Sequence, residues 1–144
     1  AKLERMSALG AAHTINYRET PEWDHAVKDL TGGRGVDRVV EVGGPGTLER
    51  SINAVRVGGR IQLIGTLTGP ANRIVPTLLM RKSISLRGIY VGSRAMFAEM
   101  NRAIEAHRLE PVVSEVFFFE QARSAYHRMR EATHFGKIVI SLKS

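Results

Sequence analysis

Three short stretches carry residue types suited to chemistry at a bare backbone: Gly43-Gly44, Gly65-Thr66-Leu67 and Gly92-Ser93, each directly after an apolar run. Glycine has no side chain to hold a ligand away, so a bound molecule can lie against amides and carbonyls at such places. Metal and thiol chemistry have much less to stand on. Cysteine is absent, which removes disulfides and every thiolate metal ligand. His13, His25, His107, His127 and His134 are dispersed with no HExxH helix, so a histidine site would have to be assembled by the fold. Glu41 sits inside an apolar run and Asp37 near its start; both read as structural, and Trp23, on an acidic helix, reads as packing.

The glycines matter only if the elements around them bring them to one edge. Residues 1–9 read as the end of an amphipathic helix, with Leu3, Met6 and Leu9 on one face and Gly10 as its stop. Residues 13–16 predict a short strand. Thr20 offers an N-cap and Pro21 opens a helix over 22–30, ended by Gly32, Gly33 and Gly35. Residues 36–42, with Val39, Val40 and Val42 between glycines, predict a strand buried on both faces. A helix over 47–56 follows, with Leu48, Ile52 and Val55 as its apolar face, stopped by Gly58 and Gly59 before a buried strand over 60–65. A loop over 66–74, a short helix at 76–80, a strand at 83–91, a helix at 94–108, a strand at 113–118, a helix at 121–132 and a strand at 137–142 complete the pattern. Strands alternating with helices predict an α/β chain with a largely parallel sheet. In such sheets ligands bind beyond the carboxyl ends of the strands, so three glycine exits on one edge predict a shared site without naming its ligand.

Composition narrows the class. At 144 residues, 43% hydrophobic and 24% charged, the chain suits one globular core. No apolar run approaches the roughly 20 residues that span a bilayer, and no secretory pattern opens the chain, so a cytoplasmic address is expected and a membrane partner is not. The formal charge of +7 raises the question of nucleic acid. Lys2, Arg5, Arg18, Arg50, Arg56, Arg60, Arg81, Arg87, Arg102 and Arg123 are spread along most elements rather than clustered, so no nucleic-acid partner is expected.

The succession AKLERMSALGAAHTINYRE, LTGGRGVDRVVEVGG, LERSINAVRVGGRIQLIG, SISLRGIYVGSR and HFGKIVISL resembles the carboxyl-terminal portion of the medium-chain dehydrogenase/reductase superfamily, which includes zinc-type alcohol dehydrogenases and quinone oxidoreductases. The pair GGRGVDRVVEVGG and VGGRIQLIG is the specific part of that likeness. The resemblance implies a partial Rossmann-like sheet, strands three to six of the order 3-2-1-4-5-6, over residues 1–92, and a segment over 93–144 that returns to the catalytic domain. It implies a fragment of an NAD- or NADP-dependent oxidoreductase acting on an alcohol, aldehyde, ketone or quinone. The fragment itself would be inactive, with catalytic residues, and zinc where there is any, outside this chain. By matching position, Lys2 would approach the adenosine ribose or a 2′-phosphate and Tyr17 would line the adenine pocket. Gly43 and Gly44 would run beneath the adenine side of the cofactor. Gly65, Thr66 and Leu67 would approach the nicotinamide ribose, and Val91, Gly92 and Ser93 the carboxamide. Lys137, beside Gly136 in HFGK, would contact a phosphate or ribose. The edge strand over 83–91 implies a homodimer, which a monomer-only size measurement at micromolar concentration contradicts. Two other classes stay open: a non-catalytic dinucleotide-binding or assembly module, and an S-adenosylmethionine-dependent methyltransferase.

Overall fold

Glycine stops and β-branched runs set the strand positions seen in the computed structural model, which describes residues 1–70 and 73–143. The backbone forms two compact units, Ala1–Val91 and Gly92–Ser144. In the first unit, helix α1 (Lys2–Ala8) and helix α2 (Trp23–Leu30) precede strand β1 (Val36–Glu41), helix α3 (Leu48–Ala54), strand β2 (Val55–Leu63), helix α4 (Pro76–Arg81) and strand β3 (Ser85–Gly88). The three strands pair in the order β1-β2-β3, both pairings parallel. Among the described residues no helix is long and apolar enough to cross a membrane.

The core lies on one face of this sheet. Leu48 and Ile52, one turn apart on α3, meet Val55 and Ile61 of β2, with Val39, Leu78, Leu79, Ile84 and Leu86 packed around them. Two charged side chains lock the helices that cover this face. Asp24 of α2, 1% exposed, accepts from Arg50 Nη1 at 2.7 Å and Asn53 Nδ2 at 3.2 Å on α3. Burial pushes the Asp24 carboxyl up, but the hydrogen bonds from Arg50 and Asn53 outweigh it and hold the group below the usual aspartate value. Lys82 Nζ donates to the carbonyls of Ile52 (2.8 Å), Asn53 (2.9 Å) and Val55, satisfying acceptors that the end of α3 leaves open.

The fold departs from the sequence pattern at several places. Residues 13–16 form no strand, because the segment finds no ladder partner among the described residues. Thr20 does not cap α2; Glu22 holds the N-cap position and makes no side-chain cap. Helix α3 ends at Ala54 rather than at residue 56, because Val55 pairs with Val36 and enters the sheet. Strand β3 is shorter than 83–91, since its pairing with β2 stops at Leu63 opposite Gly88. The run around Val40 is buried on one face only: Val40, Val42 and Ile64 are 65%, 50% and 47% exposed on the side away from the core. The predicted loop over 66–74 holds where it is described; residues 71–72 lie outside the described residues.

The second unit begins with helix α5 (Arg94–Ala106), capped by Ser93, whose hydroxyl accepts from the Met96 amide at 3.2 Å. Strand β4 (Val113–Phe118), a 3-10 turn, helix α6 (Ala122–Arg130) and strand β5 (Lys137–Ser141) form a parallel β-α-β unit in a sheet of its own. The described strands therefore lie in two parallel sheets, one in each unit. Ala125 buries α6 against this pair, and Arg128 Nε holds Glu115 of β4 at 2.7 Å.

Candidate functional site

Strand β1 delivers its last residue, Glu41, to the point where the chain must reverse into α3. Glu41 is 4% exposed, so its charge persists only if donors replace water. They do. The Gly44 amide donates to Oε1 at 2.9 Å, the Thr47 hydroxyl donates to the same oxygen at 2.7 Å, and the Ser51 hydroxyl donates to Oε2. Thr47 and Ser51 stand four residues apart, one helical turn, which aims both hydroxyls from the start of α3 at the strand end. Burial pushes the Glu41 carboxyl up, but the Ser51 and Thr47 hydroxyls and the amides of Gly44 and Gly43 together hold it below the usual glutamate value. The carboxylate thus acts as an internal clamp that shapes the turn over residues 42–47.

The exit of β2 rests against that turn. Gly44 has a φ of +84°, and a methyl group added there would lie 2.7 Å from the Gly65 carbonyl oxygen and 2.9 Å from Thr66 Cα. Two main chains touch where any side chain would separate them. Thr68 fastens the contact: its amide and hydroxyl donate to the Gly43 carbonyl at 2.9 and 2.8 Å, and its hydroxyl accepts from the Gly46 amide at 2.7 Å. The exits of β1 and β2 therefore form one surface.

A cleft of about 640 Å³ opens beside it. Tyr17, Trp23, Val40, Val42, Gly43 and Leu67 are among the residues that line it, and Glu41, Thr47 and Ser51 also belong to its lining. Its walls are aromatic and aliphatic, and its polar groups are few and fixed, the composition of a site for a flat, partly apolar molecule. Tyr17 is 65% exposed, free to stack on what enters.

Of the residues singled out in the sequence, the fold brings Tyr17, Gly43 and Leu67 to this cleft, and places Gly44, Gly65 and Thr66 in the backbone contact next to it. Lys2 lies on α1 and does not line the cleft. Val91 ends the first unit; Gly92, Ser93 and Lys137 belong to the second, Ser93 as the α5 cap and Lys137 at the start of β5. Trp23, which the sequence pattern presents as packing, also lines the cleft, and Thr47, Ser51 and Thr68, taken singly, carry no mark of a site in the sequence pattern alone. The Thr47/Ser51 spacing after a lone glutamate in an apolar run is a readable signal for the clamp; nothing local marks Trp23 as lining the same cleft as Tyr17.

The zinc-binding dehydrogenase family matches residues 1–106 of the chain. A zinc-type alcohol dehydrogenase-like protein of Schizosaccharomyces pombe is 39% identical over 145 residues, spanning 98% of this chain and 42% of that protein. A 2-haloacrylate reductase of a Burkholderia species is 31% identical, spanning 96% of this chain and 44% of the reductase. The crystal structure of an NAD-dependent alcohol dehydrogenase superposes with a TM-score of 0.84 at 32% identity, over 98% of this chain and 41% of that one. The chain thus spans about two fifths of the length of the relatives it matches, and it corresponds to the carboxyl-terminal portion of the medium-chain dehydrogenase/reductase fold.

Proposed function

This chain belongs to the zinc-binding dehydrogenase family, and on that premise we propose that it is the dinucleotide-binding portion of an oxidoreductase that moves a hydride between NAD or NADP and an alcohol, aldehyde, ketone or quinone. The observation that carries this reading is the side-chain-free contact between Gly44 and Gly65-Thr66 beside a cleft walled by Tyr17 and Trp23. When bound, the nicotinamide ring accepts or donates the hydride; this chain binds and orients. Tyr17 and Trp23, which both line the cleft, would hold the adenine. The exits at Gly43-Gly44 and Gly65-Thr66-Leu67 would run beneath the rest of the cofactor. The Glu41 clamp keeps that surface in one shape, so that little ordering is left to occur on binding.

The residues present fit a dinucleotide through the cleft's aromatic and aliphatic lining with few polar groups, and the close Gly44 to Gly65-Thr66 main-chain contact holds the two exits beside it. They do not fit zinc. The chain has no cysteine, and no group of three His, Asp or Glu residues gathers among the described residues.

The test uses the single tryptophan. Titration with NADH and with NADPH is expected to give saturable energy transfer from Trp23 to the reduced nicotinamide, and the tighter of the two names the cofactor. Tyr17→Ala is expected to weaken that binding by about tenfold, about 1.4 kcal/mol, the order of one base–aromatic stack. Transfer that never saturates, or an affinity indifferent to Tyr17→Ala, contradicts the reading.

A further inference from the structure

Four arginines, Arg34, Arg38, Arg56 and Arg60, are brought together by the fold around Asp37, away from the glycine exits and toward the beginning of β1. Between Val36/Val55 and the next register pair, Arg38/Arg60, strand β1 spends Asp37 alone while β2 spends Arg56–Gly59 on a bulge. Gly58, at φ +67°, turns the bulge, and Gly59 lies so close that a methyl group there would sit 3.0 Å from the Arg56 carbonyl and 3.2 Å from that of Asp37. The result is a pocket of about 320 Å³ lined by Asp37, Arg38, Arg56, Gly58 and Arg60.

Asp37 is already matched twice. Arg34 Nη2 and Arg56 Nε each reach its Oδ1 at 2.5 Å. Arg38 and Arg60 stand directly opposite each other across the ladder, both exposed, and neither guanidinium has a hydrogen-bond or ion-pair partner among the described residues. Neighbouring strands run about 4.8 Å apart, and like charges placed opposite one another at that spacing repel. An anion between them reverses the sign of that interaction. Guanidinium forks match the oxygens of a phosphate group two at a time, which a spherical anion such as chloride cannot use.

We propose that Arg38 and Arg60, with Arg56 at the rim, form a binding site for a small phosphate-bearing molecule, a phosphomonoester or short polyphosphate, separate from the cleft at the glycine exits. The site does not depend on the oxidoreductase reading. Isothermal calorimetry with inorganic pyrophosphate at low salt tests it on the full chain. Saturable one-to-one binding is expected, lost by tenfold or more in the double variant Arg38→Gln/Arg60→Gln and unchanged in Arg123→Gln, an exposed arginine on α6. The double lysine variant Arg38→Lys/Arg60→Lys keeps the charge without the forks and is expected to bind weakly; it also serves if the glutamine pair perturbs folding, which circular dichroism monitors. Absence of saturable binding, full affinity in both double variants, or an equal loss in Arg123→Gln overturns the proposal, the last by reducing it to net charge.

Discussion

Glu41→Leu is expected to destabilise the chain by about 3 kcal/mol, because a buried amide and hydroxyls are left without an acceptor at roughly 1–3 kcal/mol for each donor that finds no other partner. The donors are the Gly44 amide and the hydroxyls of Thr47 and Ser51, all provided by the turn and helix that follow the strand. A hydroxyl can rotate toward another acceptor, but the amide cannot, so the loss falls first on the turn at Gly44. Glu41→Gln keeps one carbonyl oxygen for Gly44 and Thr47, and Ser51 can turn to accept from the new amide; about 1 kcal/mol of loss is expected. Urea melts of the three proteins check the order. Equal stability of wild type and Glu41→Leu would remove the clamp from the account. The acid side gives an independent reading. The folded Glu41 carboxyl lies below its ordinary value of 4.5, so its contribution is complete above that pH and disappears as pH falls through the lower, folded value. Glu41→Gln is therefore expected to lose less stability than wild type on acidification below about pH 4.5.

Gly44→Ala is the second large effect, expected at about 2–4 kcal/mol from two sources. The left-handed backbone at φ +84° is strained for any residue with a Cβ, which costs about 1–2 kcal/mol. The new methyl also meets main chain, Gly65 O at 2.7 Å and Thr66 Cα at 2.9 Å, and overpacking against atoms that cannot swing aside adds about 1–3 kcal/mol. Relief requires the two exits to move apart, which breaks the Thr68 hydrogen bonds to Gly43 and Gly46. Thermal melts should show the loss, and cofactor-dependent energy transfer from Trp23 should fall with it even at temperatures where the variant stays folded. A Gly44→Ala protein with native stability and unchanged transfer contradicts the role given to the contact.

The part of the fold that local signals specify was legible. Glycines on both sides of a β-branched run located β1, the spacing of Leu48, Ile52 and Val55 located α3, and Pro76 located the start of α4. Features that depend on partners were not. Residues 13–16 have strand chemistry, but a strand exists only with a neighbour to bond, and none lies alongside among the described residues. Val55 has the spacing of a helix residue and was taken by the sheet because Val36 pairs with it. Val40 and Val42 look like core and lie open, since the helices of this unit cover the other face. At the site, the glycine exits were visible one by one; their contact through Gly44 and Gly65, and the shared lining of one cleft by Tyr17 and Trp23, are tertiary facts. The arginine pocket was invisible because a bulge, rather than sequence proximity, aligns Arg38 with Arg60.

Amide chemical-shift mapping of the isotopically labelled chain against NADH, NADPH and S-adenosylmethionine is the most direct test of the claim that the exits of β1 and β2 make a dinucleotide surface. Saturable shifts are expected at Gly43, Gly44, Gly65, Thr66 and Leu67 with a reduced dinucleotide and none there with S-adenosylmethionine. Shifts confined to other residues, or the same shifts with S-adenosylmethionine, would contradict it.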